Sequence, residues 1–170
     1  MVGIVSEMIH GGSGTYDIDL MSGAAVECRN GAGGNYTMIL TFSNNLTSVG
    51  GASVGCGTVS SSSIGPNPNQ YTVNITGQGS CNAQYNTVTL SNVTDSMGNH
   101  SDTVLSPRWG LLIGDTTGDG SVNAGDIGQT KSQSGNAVTG ANFREDVTVD
   151  GSINAGDIGL VKSKSGTGLP

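Results

Sequence analysis

Six aspartates in the last third of the chain fall at matched spacing. Asp115, Asp119 and Asp126 recur 31 residues later as Asp146, Asp150 and Asp157. Between them stand further oxygen donors, Thr117, Ser121 and Asn123 in the first set and Thr148, Ser152 and Asn154 in the second. Read as twelve-residue loops, each set offers side-chain oxygens at positions 1, 3, 5, 9 and 12. Position 7 (Ser121, Ser152) would ligate through its backbone carbonyl, and position 6 is glycine (Gly120, Gly151). This is EF-type calcium chemistry, since Ca²⁺ takes about 6–8 oxygen ligands and the loop turns sharply at its sixth residue. Of the seven acidic residues from Asp115 onward, six occupy positions 1, 5 and 12. Three carboxylates so close repel one another unless a cation lies among them. The sequence therefore predicts two bound Ca²⁺, which would move the formal charge from −7 to −3.

The elements that must hold these loops are duplicated with them. Residues 119–128 match residues 150–159 at every position except Val122/Ile153, and the match resumes at Lys131-Ser132 and Lys162-Ser163. Such identity within one chain marks a repeated unit. A helix is expected after each loop, short and rich in Gly and Ser, with poor intrinsic propensity. None leads in, because Trp109, Gly110, Leu111, Leu112 and Ile113 read as a strand. Position 12 is Asp where EF-hands carry a longer-reaching Glu. Ile127, Phe143, Ile158 and Val161 are too few for a robust core, so the segment is expected to need metal to fold.

A loop–helix unit repeated about thirty residues apart, with Asp at position 12 and no entering helix, resembles the type I dockerin repeat. The resemblance covers residues 114–166. It implies a small α module with two calcium loops, and docking on a cohesin-type partner through helix residues that follow each loop. Lys131 and Lys162 fall where basic contact residues are common in that family. Positions 10 and 11 are Ala124-Gly125 and Ala155-Gly156, where cellulosomal dockerins often carry a Ser/Thr pair.

Upstream, residues 1–112 read as all-β. Strands are predicted at 2–7, 15–20, 35–42, 52–59, 71–75, 87–93 and 103–105. Tyr36, Met38, Leu40 and Phe42 would share one face, as would Tyr71, Val73 and Ile75. Clusters such as Gly11-Gly12-Ser13-Gly14 and Gly65-Pro66-Asn67-Pro68-Asn69 supply turns. About seven short strands at this spacing favour an immunoglobulin-like β-sandwich, with a small barrel as the alternative. The expected division is a sandwich at 1–112 and the calcium repeat at 113–170, joined without a flexible linker and packed together. Trp109 would sit in that packing.

Composition narrows the function. With net charge −7 and no Lys before Lys131, a nucleic-acid face is not expected. No apolar run approaches a membrane span. No signal peptide is legible, as expected of a mature chain. Cys28, Cys56 and Cys81 match no zinc spacing, and Cys56–Cys81 is the preferred disulfide. That leaves Cys28 as a buried thiol or an intermolecular link. Gly51-Ala52-Ser53-Val54-Gly55 matches a nucleophile-elbow pattern, followed by Asp95 and His100. The elbow needs a strand–turn–helix setting, which is not predicted here, so the match is attributed to Gly/Ser abundance. His10 and His100 are expected as solvated turn residues. Asn35, Asn45, Asn74, Asn92 and Asn99 begin glycosylation sequons.

The expected protein is a non-catalytic, extracellular or cell-surface module that binds a protein partner or itself. One alternative is the subunit of an extracellular filament, with the first strand adding to a neighbour's sheet edge and the odd cysteine cross-linking. Another is a dockerin on a cohesin-type partner.

Overall fold

The computed structural model describes residues 1–22 and 25–170. Twelve strands and two helices are present among them. The strands are β1 (Gly3–Ile9), β2 (Thr15–Asp19), β3 (Val26–Glu27), β4 (Tyr36–Thr41), β5 (Leu46–Ser48) and β6 (Gly51–Val54), then β7 (Thr58–Ile64), β8 (Gln70–Thr76), β9 (Gln84–Asn86), β10 (Val88–Asp95), β11 (His100–Leu105) and β12 (Trp109–Leu111). The helices are α1 (Ala124–Gln133) and α2 (Ala155–Lys164).

Strand alternation decides which faces are inside. Tyr36, Met38, Leu40 and Phe42 are all buried, and so are Tyr71, Val73 and Ile75. They belong to an antiparallel sheet ordered β2-β1-β4-β8-β7. A second sheet runs β11-β10-β5, with β6 pairing the same β10 strand. Ile4, Leu40 and Val73 from the first sheet and Leu46, Leu90 and Val93 from the second share one core. This is the arrangement of a β-sandwich.

The single strand expected at 52–59 is two strands. Its first half pairs with β10 and its second half with β8, so the chain changes sheet at Gly55, Cys56 and Gly57. Gly57 has φ +92°, and a Cβ there would lie 3.0 Å from the Thr76 carbonyl oxygen. Ala52, Val54 and Cys56 face inward and the next inward residue is Val59, so the alternation slips by one at Gly57-Thr58, a shift too small for the sequence pattern to mark a change of sheet. The predicted disulfide fastens this point, joining Cys56 to Cys81. Cys28 is a buried free thiol. Burial pushes it up to about 11, so it is held in its protonated form.

A third, small sheet positions the repeat. β12 pairs parallel with β3 and antiparallel with β9. Trp109 and Leu111 point into the sandwich core, while Leu112 and Val26 join a second cluster with Val122, Val147 and Val161. The apolar set expected for the repeat is corrected here. Ile127 and Ile158 are only half-buried, and Phe143 packs on the sandwich side. The buried residues are those at loop position 8, Val122 and Ile153, together with Val147 and Val161. Val122, Val147 and Val161 pack against Val26 of β3 and Leu112 just beyond β12, so the repeat borrows its core from the sandwich. No helix is long and apolar enough to cross a membrane.

Candidate metal centre

Each loop leads into its helix through an asparagine. Asn123 is extended and its side chain accepts from Gly125 N at 2.7 Å, while the Asp126 carboxylate accepts from Asn123 N at 2.8 Å. Asn154 and Asp157 repeat the device at 2.6 and 2.9 Å. These reciprocal caps stabilise the first turn of helices that have little propensity of their own. They also fix the position-12 carboxylate at the mouth of the loop. Because the Asn carbonyl serves the cap, ligation from position 9 would pass through water, as is common in such loops.

The position-1 carboxylate is the centre of each loop. Asp115 Oδ1 accepts from Gly118 N at 2.8 Å and Asp119 N at 3.2 Å, and Oδ2 accepts from Gly120 N at 2.9 Å. Gly120 and Gly151 have φ +87° and +90°, the left-handed turn that a side chain would resist. Thr117 Oγ1 lies 3.3 Å from Asp115 Oδ1 and 2.9 Å from Asp126 Oδ1. Thr148 Oγ1 lies 3.5 Å from Asp146 Oδ1 and 2.9 Å from Asp157 Oδ1. Positions 1, 3 and 12 therefore already form a hub of oxygens in both copies. Adjacent ligands around a cation held at about 2.4 Å would be separated by roughly 2.8–3.4 Å, so this hub has the dimensions of one side of a calcium shell. Asp119 and Asp150 approach from the rim, each accepting from the amide two residues on, Ser121 N and Ser152 N, at 2.9 Å. Among the described residues, no three His, Cys, Asp or Glu side chains gather into a metal cluster by themselves. Each donor set mixes carboxylates with a hydroxyl and a backbone carbonyl, a hard-oxygen set that suits Ca²⁺ and offers no soft ligand.

The electrostatics point the same way. Burial pushes the Asp115 carboxyl above its ordinary range, aided by Asp126, although the amides of Gly120, Gly118 and Asp119 pull it down. At this carboxylate burial outweighs the three amide hydrogen bonds. The nearest cation, Arg144, spends its guanidinium on main-chain oxygens of Thr116, Asp115 and Val26 at 3.0–3.3 Å. It secures the loop's backbone, and its charge also acts on Asp115.

His10 is not the solvated turn residue that its polar neighbours suggested. It is wholly buried and lies 2.9 Å from Asp146 Oδ2 through Nδ1. Its Nε2 faces Arg29 Nη1 at 3.2 Å. Arg29 is bound in turn to Glu27, through Nε at 2.9 Å and Nη2 at 2.7 Å, with both side chains fully buried. Burial pushes the Glu27 carboxyl up, but the Arg29 guanidinium overrides it and holds the group below the usual carboxylate range. Sequence reading missed this chain because its members lie far apart in sequence. The one available signal was an Arg and a Glu two apart in a segment otherwise poor in charge.

The remaining candidates are scattered. Ser53 pairs with Thr89 and His100 with Thr94 along β10, which puts them about 17 Å apart at roughly 3.4 Å per residue. His100 is exposed and contacts Thr94 and Asp102. Trp109 is buried in the sandwich core beneath the repeat. No family model, curated protein or solved structure matches the chain.

Proposed function

We propose that the protein is a non-catalytic, extracellular calcium-binding module with a structural or adhesive role, in which a dockerin-like repeat carrying two Ca²⁺ packs on an immunoglobulin-like sandwich. The observation that carries this is the duplicated oxygen hub, Asp115–Thr117–Asp126 and Asp146–Thr148–Asp157, built the same way in two copies. The sandwich assignment is supported by strand order. β1-β4-β8-β7 and β5/β6-β10-β11 correspond to the ABED and CFG sheets of a constant-type immunoglobulin domain, with β2 added beside β1. The disulfide and the wholly oxygen donor set suit an oxidising, calcium-rich exterior.

In this reading Ca²⁺ neutralises the position-1 and position-12 carboxylates, which meet at one threonine hydroxyl in each loop, draws in the position-5 carboxylate from the rim, and so fastens the last third of the chain to the sandwich. Calorimetry on protein stripped with excess chelator should show a lower melting temperature, restored by Ca²⁺. An unchanged transition refutes the metal assignment.

Two partner readings have support of their own. Self-association into a filament would use the edge strands β2, β7 and β11, because β1, the strand expected to add to a neighbour's sheet, already has β2 on one side and β4 on the other. Electron microscopy with Ca²⁺ and with chelator tests it, and monodisperse particles in both conditions exclude it. Docking on a cohesin-type partner is favoured by the exposure of Lys131 and Lys162 on the two helices. Absence of binding to cohesins at micromolar concentration counts against that alternative.

A further inference from the structure

The two loops are copies, but their surroundings are not. Among the described residues, the Asp115 carboxylate accepts only from its own loop, from Thr117, Gly118, Asp119 and Gly120. The Asp146 carboxylate has its own-loop donors, Thr148, Asp150 and Gly151, and one more. That extra partner is His10 Nδ1 at 2.9 Å, 136 residues away in sequence, at the end of β1. Both side chains are fully buried.

The histidine is oriented from behind. Arg29 has donors only, so the His10 Nε2 that faces Arg29 Nη1 accepts, and the ring proton sits on Nδ1, directed at Asp146. Arg29 is itself fixed by Glu27 and by the carbonyls of Ser6 and Tyr16 at 2.7 and 2.8 Å. The rings of Tyr16 and Phe143 wall the imidazole edge-on, with centroids 5.2 and 6.0 Å away.

Position 4 differs as well. Loop 1 has Gly118 there at φ +74°, and its amide donates to Asp115 Oδ1 at 2.8 Å. Loop 2 has Val149 at φ +55°, a left-handed conformation that a β-branched residue resists. Its amide turns instead to the Asp146 main-chain oxygen at 3.3 Å. What holds Val149 in this shape comes from the sandwich. Gly11 N donates to its carbonyl at 3.1 Å, and its side chain packs on the sandwich core. Next to it, Ser13 Oγ donates to the Gly151 carbonyl at 2.9 Å.

We infer that the second loop is a composite metal site, completed by the β1–β2 turn, with His10 as the positioning residue for its first ligand, Asp146. Loop 1 satisfies its first carboxylate from within, its backbone being held by Arg144 and by Leu169 N on the Gly120 carbonyl at 2.9 Å, whereas the first carboxylate of loop 2 is completed only while the loop is docked on the sandwich. The two sites are therefore unequal, and occupancy of the second reports whether the modules are together. A pull that separates them releases the ion of loop 2 first. This rests on the calcium reading above.

The test is a Ca²⁺ titration of the full chain, ¹⁵N-labelled and stripped of metal, following the amides of Gly120 and Gly151. Each donates to its position-1 carboxylate at 2.9 Å, so each reports one site. His10→Ala should weaken the Gly151 transition by about 10–100-fold, the usual cost of removing a group that orients a metal ligand, and leave the Gly120 midpoint in place. His10→Asn, which keeps an N–H near the Nδ1 position, should recover most of the loss. Ser13→Ala removes an exposed hydroxyl with little risk to folding, and should weaken only the Gly151 transition, by about fivefold. If neither amide of the native chain responds to Ca²⁺, the calcium reading itself fails. If both respond and the variants leave Gly151 unchanged, or weaken both sites equally, calcium stands and the composite site is overturned.

Discussion

Gly11→Ala offers a sharp test of how the repeat sits on the sandwich. Gly11 has φ +50°, and a Cβ there would lie 2.1 Å from the Asp150 carbonyl oxygen and 2.7 Å from its carbon. Both atoms are backbone, so no side-chain rotation relieves the overlap. Ordinary contact requires loop 2 and the β1–β2 turn to part by about 1 Å or more. That separation breaks the buried His10–Asp146 hydrogen bond, costing about 1.5–3 kcal/mol, and the Gly11–Val149 and Ser13–Gly151 bonds, costing about 1 kcal/mol each. Left-handed alanine adds about 1 kcal/mol. The expected loss is about 5 kcal/mol, which for a chain of this size lowers the melting temperature by roughly 10–20 °C. Gly12→Ala is the matched control, since a Cβ at that position would meet no atom within 4 Å and its φ is not left-handed. Differential scanning calorimetry of both variants in Ca²⁺ decides. If Gly11→Ala melts within about 2 °C of the native protein, loop 2 is not against this turn. Equal losses from the two variants would show that the turn, and not the docking, is sensitive.

Two further outcomes follow from the sandwich. Reducing Cys56–Cys81, or replacing both with serine, frees a 25-residue separation and should cost about 3.5 kcal/mol by loop entropy. Denaturant midpoints with and without reductant measure it, and identical midpoints refute it. Glu27→Gln leaves the Arg29 charge buried and should cost about 3–5 kcal/mol near neutrality. Because the folded Glu27 carboxyl titrates below its unfolded value, its contribution is full above about pH 4.3 and is lost as pH falls through the lower folded value. The stability gap between native protein and variant should stay constant from mildly acidic to neutral pH and close on further acidification. A gap that widens in acid contradicts the ion-pair assignment.

What the sequence made legible was local or periodic. Alternation at Tyr36–Thr41 and Gln70–Thr76 named the buried faces because a half-buried strand has no other way to hide its apolar residues. The duplicated turns and their Asn caps were legible because Asp, Gly and Asn recur at the same spacing within each copy. What was hidden depended on distant partners. β3 is two residues long and exists because β12 runs beside it. The crossover at Cys56 shifts the alternation by a single residue, from Cys56 to Val59, while the chain changes sheets. His10 lies among Gly and Ser, and its burial comes from Asp146, Arg29, Tyr16 and Phe143, none of which is its neighbour in sequence.

The same contrast explains why a duplicated sequence yields two loops in unequal surroundings. Residues 119–128 and 150–159 differ only at Val122/Ile153, and their caps and hubs match bond for bond. The difference arises at position 4 and beyond the loop ends. Glycine at 118 lets loop 1 adopt the left-handed turn unaided, whereas Val149 needs the Gly11 amide and the sandwich core to hold it there. Relieving that need should make the second loop behave like the first. Val149→Gly in the full chain is therefore expected to reduce the dependence of loop 2 on its neighbours. In that background His10→Ala should shift the Gly151 midpoint by less than it does in the native chain. An equal shift in both backgrounds would mean that Val149 has no part in the coupling and that His10 alone carries it.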